Sequence, residues 1–231
     1  MHANSAPIVT SQVRPHEDLA RRVARGLSTP WRKPVADHTQ KAFDFAERWR
    51  EARNLPVIID AGCGVGLSTR RLAERFPDHS VIGIDRSADR LSRDLSREYG
   101  ALPDNALLLR ADLVDFWRLA LGAGWQPVRH YLLYPNPYPK AAQLKRRWQG
   151  HPVFPAIVAL GGRLELRSNW SVYVEEFARA LTQVTGIQPV VESFSPEGCY
   201  LTPFERKYAE SGQQLDRLIC ELPHRPDLLP C

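Results

Sequence analysis

Apolar and polar positions alternate along this chain in blocks of two kinds. Short apolar runs, rich in Val, Ile and Leu, fall at 55–60, 80–84, 106–110, 129–134 and 162–168. Between them lie longer stretches whose apolar residues recur every three or four positions, near 66–76, 87–99, 113–120, 152–159 and 170–184. Period-two or continuous runs of five to seven residues read as strands, and the three-and-four spacing reads as helices. Strand and helix in strict alternation predict an α/β fold, a mostly parallel sheet with helices on both faces. Two late runs, PVVESF (189–194) and LDRLICEL (215–222), add closing strands and bring the count to seven. Ahead of the alternation, Asp37 to Arg53 reads as a helix with Ala42, Phe45, Ala46 and Trp49 on its apolar face. Residues 16–26 suit a short basic helix, Pro30 and Pro34 break the stretch that follows, and residues 1–14 read as poorly ordered.

In a parallel sheet, ligands bind outside the carboxyl ends of the strands. The loop after the first run is D-x-G-x-G-x-G, formed by Asp60, Gly62, Gly64 and Gly66. Glycines without a Cβ let the backbone turn sharply and approach a ligand. The second run ends at Asp85, where an acid can accept from both hydroxyls of an adenosine ribose. The spacing is not the G-x-G-x-x-G of dinucleotide sites, and no Lys-Ser/Thr pair follows to make a phosphate loop. Asp112 follows the third run, where it can cap a helix. After the fourth run comes YPNPYPK (134–140), where three prolines stiffen a loop carrying Asn136, Tyr138 and Lys140. Tyr138 offers a ring on which a base can stack. Lys140, Lys145, Arg146 and Arg147 suit phosphates, or form a solvated basic face. Asn169 and Ser168 stand at the next strand-to-helix junction, where either can cap the helix. Thr202 stands three residues before Glu205, the spacing of a capping box.

Composition narrows the setting. The 231 residues suffice for one domain, and a 43% apolar fraction is ordinary for a globular protein. No apolar run reaches the length of a membrane span, and the first residues lack the pattern of a secretory signal. The cysteines, Cys63, Cys199, Cys220 and Cys231, form no C-x-x-C pair, so a zinc site or disulfide framework is not expected and a cytoplasmic protein is. The net charge is +5. Six basic residues against one acid between Lys140 and Arg167 suit a polyanion.

Four motifs in order, DAGCGVG (60–66), YPNPYPK (134–140) with KRR (145–147), SNWSVY (168–173) and TPFE (202–205), resemble the bacterial tRNA (guanine-N7)-methyltransferase family. The resemblance covers about Pro56 to Glu221. It implies a class I methyltransferase (Rossmann-like) fold, S-adenosylmethionine as methyl donor and tRNA as partner. No metal is expected, nor more than a monomer or homodimer. A basic, partly disordered extension over 1–36 and a methyltransferase domain over 37–231 are expected. Carried over by position, Asp60, Asp85 and Asp112, with Gly62, Gly64 and Gly66, bind the cofactor, and an acid at the place of Asp112 holds the adenine. Asn136 takes the catalytic position, and Lys140, Thr202 and Glu205 are substrate-side positions; Tyr138, Lys145, Arg146, Arg147 and Asn169 are added to them as candidate substrate contacts. The chain departs from the family at three points. Asn136 and Asn169 stand where the family has acids, and Tyr138 where it has tryptophan. Asn-Pro before an aromatic ring is also similar to the N-P-P-Y loops of amino-group methyltransferases. Methylation of another base position or of a small molecule, and a non-catalytic RNA-binding relative, are the alternative readings.

Overall fold

A computed structural model describes residues 5–29 and 31–229; Pro30 and Cys231 fall outside the described residues. Seven strands form one sheet: β1 (Val57–Ala61), β2 (Ser80–Asp85), β3 (Ala106–Arg110), β4 (Arg129–Leu133), β5 (Gly162–Ser168), β6 (Val190–Ser193) and β7 (Asp216–Leu222). Their order is β3-β2-β1-β4-β5-β7-β6. Only β7 is reversed, pairing antiparallel with both β5 and β6. The order changes direction between β1 and β4, where outgoing loops diverge and a crevice opens at the carboxyl ends.

The helices are α1 (Leu19–Ser28), α2 (Asp37–Arg53), α3 (Leu67–Arg75), α4 (Ala88–Leu91), α5 (Ser96–Tyr99), α6 (Leu113–Gly122), α7 (Phe154–Ala159), α8 (Ser171–Thr185) and α9 (Pro203–Glu210). Strand alternation sends successive side chains to opposite layers. Val57, Ile59 and Ala61 join the large core with Phe43 of α2, Phe116 and Trp117 of α6, and Phe177 of α8. Ile58 and Val81 face the other way, onto Leu72 and Ala73 of α3 and onto Leu201. Leu19 and Val23 of α1 lie in the large core too. Residues 19–28 therefore pack within the domain rather than as an appendage to it.

Three local expectations change. The inward face of α2 is Thr39, Phe43 and Ala46, while Phe45 is 48% exposed. Phe43 wins because it meets the rings of Phe116 and Trp125, at 5.4 and 5.3 Å between centroids. The expected helix over 87–99 survives only as the single turns α4 and α5. Asp94 accepts from the Ser96 backbone N–H and makes a turn between them. Residues 203–210, read only as a capping signal, form a full helix.

Candidate active site

The first half of the site is built at the ends of β1 and β2. Gly62, Gly64 and Gly66 all have positive φ, at +84°, +60° and +82°. The Gly62 and Cys63 backbone N–H groups donate to the Ile84 carbonyl at 2.8 and 3.0 Å, which fastens the loop to β2. Gly66 is confined, since a Cβ there would meet Leu108 at 2.7 Å. Gly64 is open, with nothing within 4 Å of the same position. The Asp85 carboxylate accepts from Gly64 N–H at 3.0 Å and Ser87 N–H at 2.8 Å, so it spans the two loops that frame the crevice.

Asp60 lies beneath the loop and is 1% exposed. Its Oδ2 accepts from the Ser68 and Thr69 hydroxyls at 2.6 and 2.7 Å, while Oδ1 is buried and has no partner. Burial pushes its carboxyl up to about 6, against the lowering effect of the two hydroxyls. A raised native pKa makes its contribution to stability largest at low pH and lost as pH rises through 6. Asp112 caps α6, accepting from Val114 N–H at 2.9 Å, and its own N–H donates to Thr39 Oγ1. Both readings of Asp112 are compatible with that geometry. His151 sits near Asp112 and packs against Trp31, with burial holding its imidazole below the usual range.

The second half is the loop after β4. Tyr134 and Tyr138 have positive φ, +52° and +44°, uncommon for residues with a side chain. Asn136 Oδ1 accepts from Tyr138 N–H at 3.3 Å, an Asx turn that supports this strained conformation. Asn136, Lys140, Lys145 and Arg146 are exposed, and the Arg146 guanidinium lies over the Tyr138 ring at 5.7 Å. Asn169 Nδ2 donates to Gln213 Oε1 at 2.8 Å. Neither Asn169 nor Ser168 caps α8, because Ser168 Oγ accepts from Trp170 N–H instead.

Arg147 corrects the reading of the KRR segment. It is completely buried and cannot reach a phosphate. Its Nη1 donates to both Glu176 oxygens at 2.7 Å, and its Nε and Nη2 donate to the Tyr138 carbonyl at 3.2 and 3.0 Å. Nη2 also donates to Gln12 Oε1 at 2.8 Å. An isolated charge in this position would be prohibitive, and the bidentate pair makes it tenable. The guanidinium thus ties the acceptor loop to α8 and to the segment before α1.

Glu205 is corrected in the same way. It is fully buried, takes Arg167 Nη1 on both oxygens at 3.1 and 2.9 Å, and accepts from Leu201 N–H and the Tyr134 hydroxyl. Its carboxylate is saturated by these donors and does not face a substrate. Thr202 is the N-cap of α9, accepting from Glu205 N–H at 2.9 Å. The reciprocal bond of a capping box is not made, since Glu205 turns to Arg167.

Gln12 and Glu176 carry these networks and were not picked out from sequence, while Arg167, counted with Glu165 in the basic segment suited to a polyanion, is buried and paired with Glu165 and Glu205 instead. Two signals were available. Glu176 falls on the apolar stripe of α8 between Tyr173 and Phe177, where an acid requires a buried partner. Glu165 and Arg167 are two apart on β5, hence on one face, and pair at 2.7 Å.

Sheet order, the single reversed strand and the acid-tipped β2 together define a class I methyltransferase fold. A family model described as "Putative methyltransferase" matches residues 54–218, and the chain belongs to that family, Methyltransf_4. Curated relatives include a tRNA (guanine-N(7)-)-methyltransferase of Nocardioides sp., 30% identical over 95% of this chain and 96% of the relative. Another of the same name, from Leifsonia xyli subsp. xyli, is 27% identical over 75% of this chain and 78% of the relative. Among solved structures, an antibiotic-related methyltransferase superposes with a TM-score of 0.58 at 16% identity, covering 86% of this chain and 98% of that one. The 16S rRNA methyltransferase KamB superposes at 0.57 with 18% identity, over 82% and 95%. These structures share the fold. Among the described residues no helix is long and apolar enough to cross a membrane, and no three His, Cys, Asp or Glu side chains group to hold a metal.

Proposed function

We propose that this protein methylates N7 of a guanine in tRNA, with S-adenosylmethionine as donor. The observation that carries the proposal is the juxtaposition of the open glycine cradle with the stiff Asn136–Lys140 loop at the ends of neighbouring strands β1 and β4. The names of the curated relatives, matched over most of both chains, supply the acceptor.

The cradle fits the donor. Gly64 leaves the space a side chain would fill, Asp60 at the end of β1 keeps a buried oxygen without a partner, and Asp85 presents a carboxylate at the end of β2. Asp85 would hold the ribose hydroxyls, Asp112 the adenine end, and the glycine loop the amino-acid end. When bound, the donor supplies an electrophilic methyl group on a sulfonium. Guanine N7 already carries a lone pair and no proton, so no general base is needed. The protein's task is alignment, and proximity is the main source of rate.

The acceptor loop is suited to that task. Arg147, Glu176 and the prolines fix its backbone, which limits the ordering needed on binding. Asn136 spends its oxygen on the turn, and its Nδ2 and the Lys140 ammonium are donors matched to guanine O6, next to N7. Tyr138 offers its ring to the base. Lys145 and Arg146 neutralise backbone phosphates.

The test is transfer from labelled S-adenosylmethionine to bulk tRNA, with mass spectrometry of the product nucleosides. Labelled 7-methylguanosine is expected. A different methylated nucleoside would move the acceptor, and no transfer with cofactor bound would sink the proposal.

A further inference from the structure

Helix α9 carries an aromatic ladder that the site described above does not use. The Phe204 ring is 46% exposed and stacks on Tyr208, with centroids 6.1 Å apart and planes at 24°. Tyr208 in turn lies 5.6 Å from Tyr134, the residue that opens the acceptor loop. The ladder therefore runs from the loop outward to solvent, and its outermost ring is bare. Its base is fixed, since the Tyr134 hydroxyl donates to Glu205, which Arg167 clamps from below. Two exposed cations share its helix. Lys207 is exposed and makes no ion pair among the described residues. Arg206 is exposed and paired only with Glu210 of its own helix, at 2.8 Å.

An exposed ring held rigid by a second ring is poor packing for a helix that has only its own fold to serve. Apolar rings with cations at their edges are the chemistry of single-stranded nucleic acid, in which the base stacks and the phosphate meets the ammonium. The continuity with Tyr134 places such a base beside the acceptor site. We infer that Phe204, backed by Tyr208, is a stacking platform for an unpaired base flanking the methylated nucleotide, with Lys207 on its phosphate. The inference rests on the RNA reading above and assigns a second contact to it.

The test measures binding and not transfer, so it can fail separately from the guanine-N7 proposal. Fluorescence anisotropy would follow labelled unmodified tRNA and a single-stranded RNA probe against wild type, Phe204→Ala, Phe204→Trp and Lys207→Ala. Phe204→Ala is expected to weaken binding about 10-fold, and Phe204→Trp to retain it. Lys207→Ala is expected to lower the salt slope by about one unit. Abasic substitution scanned along the probe should find one position at which Phe204→Ala no longer matters. Because Phe204 is largely outside the core, thermal unfolding of Phe204→Ala should match wild type, which separates lost stacking from lost folding. Phe204→Ala within twofold of wild type would overturn the platform. So would a loss of the same size with every abasic probe, and either result would leave α9 as a surface for a protein partner.

Discussion

The two halves of the site handle charge in opposite ways. At the ends of β1 and β2 the carboxylates are lightly engaged: Asp85 accepts from two backbone N–H groups and lies 3.8 Å from the half-exposed Arg90 guanidinium, and the buried Asp60 keeps one oxygen without a partner. At the ends of β4 and β5 the charges are spent on each other. Arg147 is consumed by Glu176, and Arg167 by Glu165 and Glu205, all of them buried. The cofactor half keeps its charges for a ligand that every turnover brings in the same form. The acceptor half uses them as scaffolding for a loop whose exposed side chains are neutral or cationic, as a polyanionic substrate requires.

That contrast can be broken most severely at the scaffold. Arg147→Ala or Glu176→Ala alone leaves a buried charge unpaired and is expected to destabilise the fold by about 3–5 kcal/mol. Thermal and denaturant unfolding would show it. The double change Arg147→Met with Glu176→Leu should recover most of that loss while leaving the acceptor loop without its tether. A single Arg147→Ala as stable as wild type would mean the pair is not the scaffold it is taken for.

Asp85→Ala probes the other half. It should cost about 1–3 kcal/mol of stability, because the Gly64 and Ser87 N–H groups lose their acceptor, and weaken S-adenosylmethionine binding about 100-fold through the loss of two charge-assisted hydrogen bonds. Calorimetry reads this directly, and unchanged affinity would remove Asp85 from the ribose. The smallest effect is expected at Lys145 and Arg146, changed together to Ala. Stability and cofactor affinity should stay, while tRNA affinity falls evenly across sequences and its salt slope drops by about two units. An unchanged slope would return these residues to the role of a solvated face.

The same contrast explains what could be read from the sequence. The strands were legible because buried parallel strands are apolar runs, and β3 and β5 fall on the expected residues. Helix α2 begins and ends where its pattern does, closed by Asn54 in the left-handed conformation. The turn at the glycines and the place of Asp85 at the end of β2 were legible because both depend on local backbone geometry and spacing. Arg147 and Glu205 were misread because burial of a charge is decided by a partner far along the chain, 29 residues on for Arg147 and 38 back for Glu205. Helix α9 has too few apolar positions to show a stripe, and only its cap was visible. Phe45 was placed inward because Ala and aromatic residues surround the helix on two faces, and periodicity alone does not choose between them.

The central claim is that the acceptor atom is guanine N7, aligned rather than activated by a loop without an exposed carboxylate. The most direct measurement compares methyl transfer to two tRNA transcripts, one made with guanosine and one with 7-deazaguanosine throughout. The account predicts transfer to the first and none to the second, with both bound at similar affinity. Equal transfer to both would contradict it and place the acceptor on an atom other than N7.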